Sequence, residues 1–269
     1  MSTLERATLS VIVPVGPGDV SWRALLPDLA ALPDRAEIVL VATSDDCATG
    51  VCARACDQHT RTRWIQAPAG RAAQQNAGAA QARGDVLWFV HADSRVTVAT
   101  LAALDRYLAA PHGLGYFDLR FLGDGPLAMR LNTLGAWVRS RWLRLPFGDQ
   151  GFVLRAADFA RLGGFDAQVG YGEDHALVWQ ARRRRIPLRA LAAPLYTSAR
   201  KYAEHGWWRT TAHHLLHTVA QAWRFARAPL PPQTPSQCDG NCDLARAGAT
   251  PTVAPPRQHI AAPTPLHRP

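Results

Sequence analysis

The sequence predicts an α/β fold with a mostly parallel central sheet and helices on both faces. Three short apolar runs, residues 9–15, 37–42 and 85–91, lack the alternation of half-solvated strands and read as strands buried on both faces. Helical segments separate the strands through short connections, the pattern of successive β-α-β units. An apolar content of 48% with 19% charged residues, in a chain of 269, provides a large core.

The first run, LSVIVPV at 9–15, opens the sheet. Ser21 is placed to cap a helix over 22–32, and Pro33 stops it. The strand EIVLVA at 37–42 follows, then the polar turn 43–46, a helix over 48–58 and a third strand at 62–66. Residues 70–82 read as a helix that Gly84 ends, before the fourth strand DVLWFVH. Beyond it the expected elements are helix 97–109, strand 115–121, an apolar and basic helix 127–142, strand 151–155, and helices at 156–162 and 173–185. A last helix, 204–227, carries Trp208, Leu215, Val219 and Trp223 roughly on one face, with Arg209, His213, Gln221 and Arg224 around much of the rest. Such a stripe either packs against its own domain or a partner subunit, or lies on an anionic membrane. Half of the 20 prolines fall after Ala228, so 229–269 reads as a disordered tail beyond a body at 1–203 and the helix at 204–228.

The formal net charge of +9 comes almost wholly from arginine, Lys201 being the one lysine. It suits an anionic partner, but no interleaved basic and aromatic motif supports nucleic acid. Five cysteines make a poor disulfide framework, and the spacing of Cys47, Cys52 and Cys56 matches no zinc or cluster pattern. No run approaches the roughly 18 apolar residues that span a bilayer, and Met1–Thr8 leads straight into a strand without a signal peptide. A cytoplasmic location is therefore expected.

In a sheet of this kind the ligand site lies beyond the carboxyl ends of the strands. The fourth strand ends in His91-Ala92-Asp93. Alternation along an extended chain would put His91 and Asp93 on one side, able to hold a divalent cation; alternatively Asp93 or Ser94 caps the next helix. Gly148-Asp149-Gln150-Gly151 offers a carboxylate and an amide between two glycines, suited to sugar hydroxyls or to a plain turn. Gly172-Glu173-Asp174 opens a helix, where acids favour the positive dipole end, and a carboxylate there facing a pocket would serve as general base.

Together and in this order the segments resemble the family 2 glycosyltransferases with the GT-A fold. The matching stretches are SVIVPV at 10–15, EIVLVATSDD at 37–46, GRAAQQNAGAAQARGDVLWFVHADS at 70–94, FGDQGFVLR at 147–155 and LGGFDAQVGYGEDHALVWQARRR at 162–184. The GRAAQQNAGAA and HADS versions are similar to a subgroup of small soluble bacterial members. The resemblance implies metal-dependent transfer of a sugar from a nucleotide diphosphate to a hydroxyl acceptor, with inversion at the anomeric carbon. It implies donor nucleotide contacts at Pro14, Val15, Asp45, Asp46, Arg71 and Asn76. It also implies sugar and acceptor contacts at Asp149, Gln150 and Glu173, a metal at Asp93 with His91, and Asp174 as the base. His91 stands where an acid is common, which favours Mn2+ over Mg2+. Two departures, Gly16-Pro17-Gly18-Asp19 in place of a polar triplet and Ala42-Thr43 in place of an acid, fall on the nucleoside pocket. They leave room for a non-catalytic nucleotide- or glycan-binding module. A nucleotidyltransferase is the rival of the same fold, although the glycine turn is too short for its signature and lacks Arg and Lys. The whole reading expects Asp93, Asp149 and Asp174 to converge at the sheet's edge.

Overall fold

The computed structural model describes residues 7–43 and 61–227. The helix expected over 48–58, Asp45, Asp46, the cysteines and the Pro-rich segment 229–269 lie outside the described residues.

Among the described residues, seven strands form one sheet. In chain order the elements are β1 (Leu9–Pro14), α1 (Trp22–Leu29), β2 (Glu37–Ala42), β3 (Thr62–Gln66), α2 (Arg71–Gln81), β4 (Val86–Phe89), α3 (Val98–Ala109), β5 (Leu114–Phe121) and α4 (Met129–Arg141). They continue with β6 (Val153–Arg155), α5 (Ala156–Leu162), α6 (Glu173–Arg183), β7 (Leu188–Thr197), α7 (Arg200–His205) and α8 (Trp207–Arg227). The strand order is β3-β2-β1-β4-β6-β5-β7. Neighbours run parallel except β6, which is antiparallel to both β4 and β5.

Period-two alternation sorts the strand residues onto two cores. Val11, Val13, Leu40 and Trp88 pack under α1 and α3 with Leu25, Leu29 and Leu104. Ile12, Val39, Val41 and Phe89 face the other way, against Phe159 of α5 and Leu177 and Val178 of α6. Burial on both faces is why these strands carry no polar alternation. The helix α2 comes close to the sheet because Gly78 has no side chain: a Cβ there would lie 2.5 Å from Ile12 Cγ2 and 3.0 Å from Val41 Cγ2.

Several expectations need correction. Ser21 makes no side-chain cap; its own backbone N–H donates to Asp19 Oδ1 at 2.8 Å. Strand β4 stops at Phe89, and His91–Ser94 turns, with Ser94 N–H donating to His91 O at 3.1 Å, so strand alternation does not orient His91 and Asp93. Thr97, not Asp93 or Ser94, caps α3, in a reciprocal capping box with Thr100. The ten-residue edge strand β7 was not foreseen, and the last helix is two helices broken at Gly206, whose φ is 83°.

Candidate functional site

The carboxyl ends of β1, β2 and β4 lie along one edge, and α2 ties two of them together. Gln74 Nε2 donates to Val15 O at 2.7 Å and to Val41 O at 2.8 Å, deep in the protein. Val15 also donates its N–H to Val41 O at 2.8 Å, and its side chain is buried in the core. It is therefore part of the floor of this edge, with Pro14 half-buried beside it. Gln74 was missed in the sequence because nothing distinguishes it from Gln75 before the sheet is assembled.

Arg71 is the first residue of α2, and its guanidinium pairs with Glu173 at the start of α6, 3.4 Å apart. Asn76, further along the same helix, is part-buried and bonded at both ends of its amide. Its amide donates to Phe165 O at 2.7 Å, and its oxygen accepts from Phe165 N–H at 2.9 Å, fastening the turn that precedes α6.

The loop between α4 and β6 carries the second acid. Its single 3-10 turn, Gly148–Gln150, ends at Gly151 with φ 63°, and a Cβ there would lie 2.7 Å from Leu195 Cδ2. Gln150 is wholly buried beneath it. Its amide donates to Phe117 O at 2.8 Å, while its oxygen accepts from Phe147 N–H at 3.1 Å and from Arg139 at 3.4 Å. Every polar group of Gln150 is thus spent on holding the loop that displays Asp149.

Asp174 closes the loop from the other side. Its Oδ2 accepts from Gly148 N–H at 2.7 Å and its Oδ1 from His175 N–H, also at 2.7 Å. Glu173 and Asp174 form the first turn of α6 after Gly172, and Glu173 Oε2 accepts from Gly172 N–H at 3.1 Å. Burial pushes the Glu173 carboxyl above the ordinary glutamate range, helped by the charge of Asp174 and opposed by Arg71.

Asp149 sits at the centre. Burial raises its carboxyl to about 6; Arg139 opposes that shift, Asp174 adds to it, Arg71 opposes it and Asp93 adds to it. The Asp149 carboxyl thus feels two other acids, Asp93 and Asp174, and two arginines, Arg71 and Arg139, in one electrostatic cluster. Asp149 Oδ1 is buried with no hydrogen-bond partner among the described residues, and so is Arg139 Nε. Two orphaned polar atoms in one cluster leave bonding capacity for a ligand. The Arg139 guanidinium lies over the Phe147 ring, 3.3 Å from its centroid. Arg139 was not singled out in the sequence, where it resembles Arg130 and Arg141 on the same helix. A cleft of about 670 Å³ near Asp118, Arg120 and Arg130 contains none of these acids.

Helix α8 braces the cluster from outside. Gln221 faces His175 Nδ1 at 3.2 Å and donates to Tyr171 O at 3.1 Å, and the Tyr171 hydroxyl meets His214 Nδ1 at 3.4 Å.

Among the described residues no group of three or more His, Cys, Asp or Glu is arranged to hold a metal ion. The donor set fits a different kind of site. A hard divalent cation bound with a diphosphate needs only one or two protein carboxylates, because phosphate oxygens and water complete its shell. Asp93, whose charge acts on Asp149, and the unpartnered Oδ1 of Asp149 are the carboxylate donors that the described residues offer for such a shell.

No family model matches the chain, and no curated protein matches it. Solved structures do. TarS residues 1–349 from S. aureus in complex with UDP match at 20% identity and a TM-score of 0.56, over 71% of this chain and 60% of that one. The same protein with UDP-GlcNAc matches at 19% identity and a TM-score of 0.55, over 71% and 58%. The mannosyltransferase PcManGT from Pyrobaculum calidifontis, in complex with GDP-Man and Mn2+, matches at 20% and 0.61, over 86% and 67%. The chain thus spans about 60% of the length of the TarS structures it matches. With a seven-stranded, mostly parallel sheet covered by helices on both faces, the chain has a GT-A-like fold.

Proposed function

We propose that the protein is a metal-assisted glycosyltransferase of the family 2 type, moving a sugar from a nucleotide diphosphate-sugar to a hydroxyl acceptor. The observation that carries this reading is the cluster of Asp93, Asp149 and Asp174 between Arg71 and Arg139, at the ligand edge of a GT-A-like sheet. Opposed charges of this kind serve a reaction in which a dianionic leaving group departs while a hydroxyl loses its proton. UDP, UDP-GlcNAc and GDP-Man bound to the neighbours support the donor class.

In this reading Asp93, with His91 in the same turn, would hold Mn2+ or Mg2+. When bound, the cation neutralises charge on the diphosphate. Arg71 and Arg139 stand on either side as fixed cations for the same phosphates. Pro14 and Val15 form the floor of the nucleoside pocket, Asn76 supports it by fastening the Phe165 turn, and Asp45 or Asp46 supplies its acid. Asp149, held up by Gln150, meets the sugar or the acceptor, and Glu173 keeps Arg71 in place. Asp174 takes the acceptor proton in a single in-line displacement that inverts the anomeric centre. The reaction takes place in the cytoplasm, with the last helix against the inner face of the membrane.

A second assignment exchanges the two acids. Both Asp174 oxygens already accept backbone N–H bonds, whereas Asp149 has an unclaimed oxygen and a raised carboxyl. Substitution separates them. A general base contributes on the order of 10²–10⁴ in rate, so Asp174→Asn should lower kcat by about that factor while calorimetric binding of the nucleotide-sugar stays near that of the parent. If Asp149→Asn gives that result and Asp174→Asn leaves kcat unchanged, the roles are reversed. Titration with UDP-, GDP- and TDP-sugars, with and without Mn2+, tests the reading as a whole. Metal-dependent binding with slow donor hydrolysis supports it; tight binding without any turnover favours a binding module, and no binding of any donor ends it.

A further inference from the structure

The helix α8 is amphipathic in the reverse of the usual sense. Its inward stripe, running from Trp207 through Thr211, His214, Thr218 and Gln221 to Phe225, follows the three-four spacing of a packed face and is mostly polar. Asn132 accepts from Trp207 Nε1 at 2.6 Å and donates to Thr211 at 3.2 Å, and Gln221 holds Tyr171 and His175. The apolar stripe faces out instead: Leu215, Leu216 and Val219 are exposed, with Trp208 at 77% and Trp223 at 66%.

The neighbouring helix repeats this. Around α4, Leu127, Leu131, Leu134 and Leu143 are exposed, and Trp142 reaches 76%. Asn132 pins the two helices together, so Leu131 and Trp208 flank the bonded pair Asn132 and Trp207. Apolar exposure on this scale marks an interaction surface.

Charge identifies the partner. Neither 127–144 nor 207–227 contains an acidic residue; the first exposes Arg130 and Arg144, while Arg139 turns inward to the acids and Arg141 pairs with Asp118, and the second exposes Arg209, Arg224 and Arg227. Arg227 lies over the Trp223 ring, 3.8 Å from its centroid, a cation held beside an exposed indole. Exposed Trp and Leu with arginine and no acid are what an interfacial helix presents to an anionic bilayer.

We infer that α4 and α8 together form a membrane-docking face that lays its exposed Trp and Leu side chains into the headgroup region of an anionic lipid bilayer. This gives residues and lipid charge to the membrane contact proposed above, and it does not depend on sugar transfer. Because Gln221 and His214 of α8 hold Tyr171 beside Glu173 and Asp174, the docked face adjoins the acidic cluster.

The test uses the full chain and vesicles of phosphatidylcholine, with or without phosphatidylglycerol, and needs no donor or turnover. The chain should sediment only with the phosphatidylglycerol vesicles, with a blue shift in tryptophan emission, and rising salt should release it. Leu216→Ser combined with Trp223→Ser removes exposed side chains only. It should weaken partition about tenfold or more while leaving the circular dichroism and thermal midpoint unchanged. Arg209→Gln with Arg224→Gln should weaken binding and flatten its salt dependence. Failure to bind the anionic vesicles, or equal binding by the Leu216/Trp223 variant, would overturn the inference. So would a chain that sediments as a dimer without lipid and becomes monomeric in that variant, since the face would then belong to a second copy.

Discussion

Asp149 and Asp174 belong to one cluster, but their oxygens are employed differently. Asp174 is fixed by two backbone amides at 2.7 Å, which orients it and costs it freedom. Asp149 is fixed through its neighbours, with Gln150 below and Gly151 behind, and keeps a buried oxygen without a partner. Its carboxyl is raised from 3.8 to about 6, first because burial penalises the charge. The sign of the pH effect follows. Between about 4 and about 6 the unfolded chain has released this proton and the folded chain still holds it, so this group's contribution to stability falls as pH rises through that window. Asp149→Asn removes the ionisation. In metal-free buffer the variant should therefore gain stability relative to the parent between pH 4 and pH 7, read from denaturant midpoints at each pH. A constant difference across that range would show that Asp149 ionises normally.

At the scale of elements, the first half of the fold was legible because β1, β2 and β4 are buried on both faces and read as continuous apolar runs. The strands β1, β2 and β3 and the helix α5 have the bounds, or nearly the bounds, that the apolar runs suggest. The strand β7 was not legible for a physical reason. LRALAAPLYT is short of large β-branched residues and contains Pro194, which an edge strand tolerates and a central strand does not. The candidate site was legible as positions to the extent that the charges of Asp93 and Asp174 both act on Asp149. Its braces were not: Asn76 and Gln150 look like ligand-facing amides in the chain and become internal ties only when the Phe165 turn and Phe117 arrive from elsewhere. Arg139 likewise becomes special through Phe147 and the acids. The close approach of α2 to the sheet yields a test at this scale. Gly78→Val would drive branched carbons into Ile12 and Val41, and overpacking of this kind costs about 1–3 kcal/mol. The expected outcome is a lower denaturant midpoint with an unchanged m-value. Parent-like stability would mean that α2 shifts freely, and with it Gln74 and Arg71.

For the molecule as a whole, the described protein side chains offer the cation too few donors to bind it alone, and donor and metal should therefore stabilise the fold as a pair. A ligand that binds only the folded state at a hundred times its Kd adds about 2.7 kcal/mol. For a domain of about 150–250 residues each kcal/mol raises Tm by about 2–4 °C, so the full complex should melt roughly 5–10 °C higher. Mn2+ alone or a nucleotide diphosphate alone should each give a small part of that shift, and the two together should give more than their sum. Adding EDTA to the complex should return Tm to the value for nucleotide alone. A full shift from Mn2+ alone would mean a complete protein cage for the ion, which the described residues do not provide. A full shift from nucleotide in EDTA would leave Arg71 and Arg139 to neutralise the diphosphate by themselves, and would remove Asp93 from the role of metal ligand.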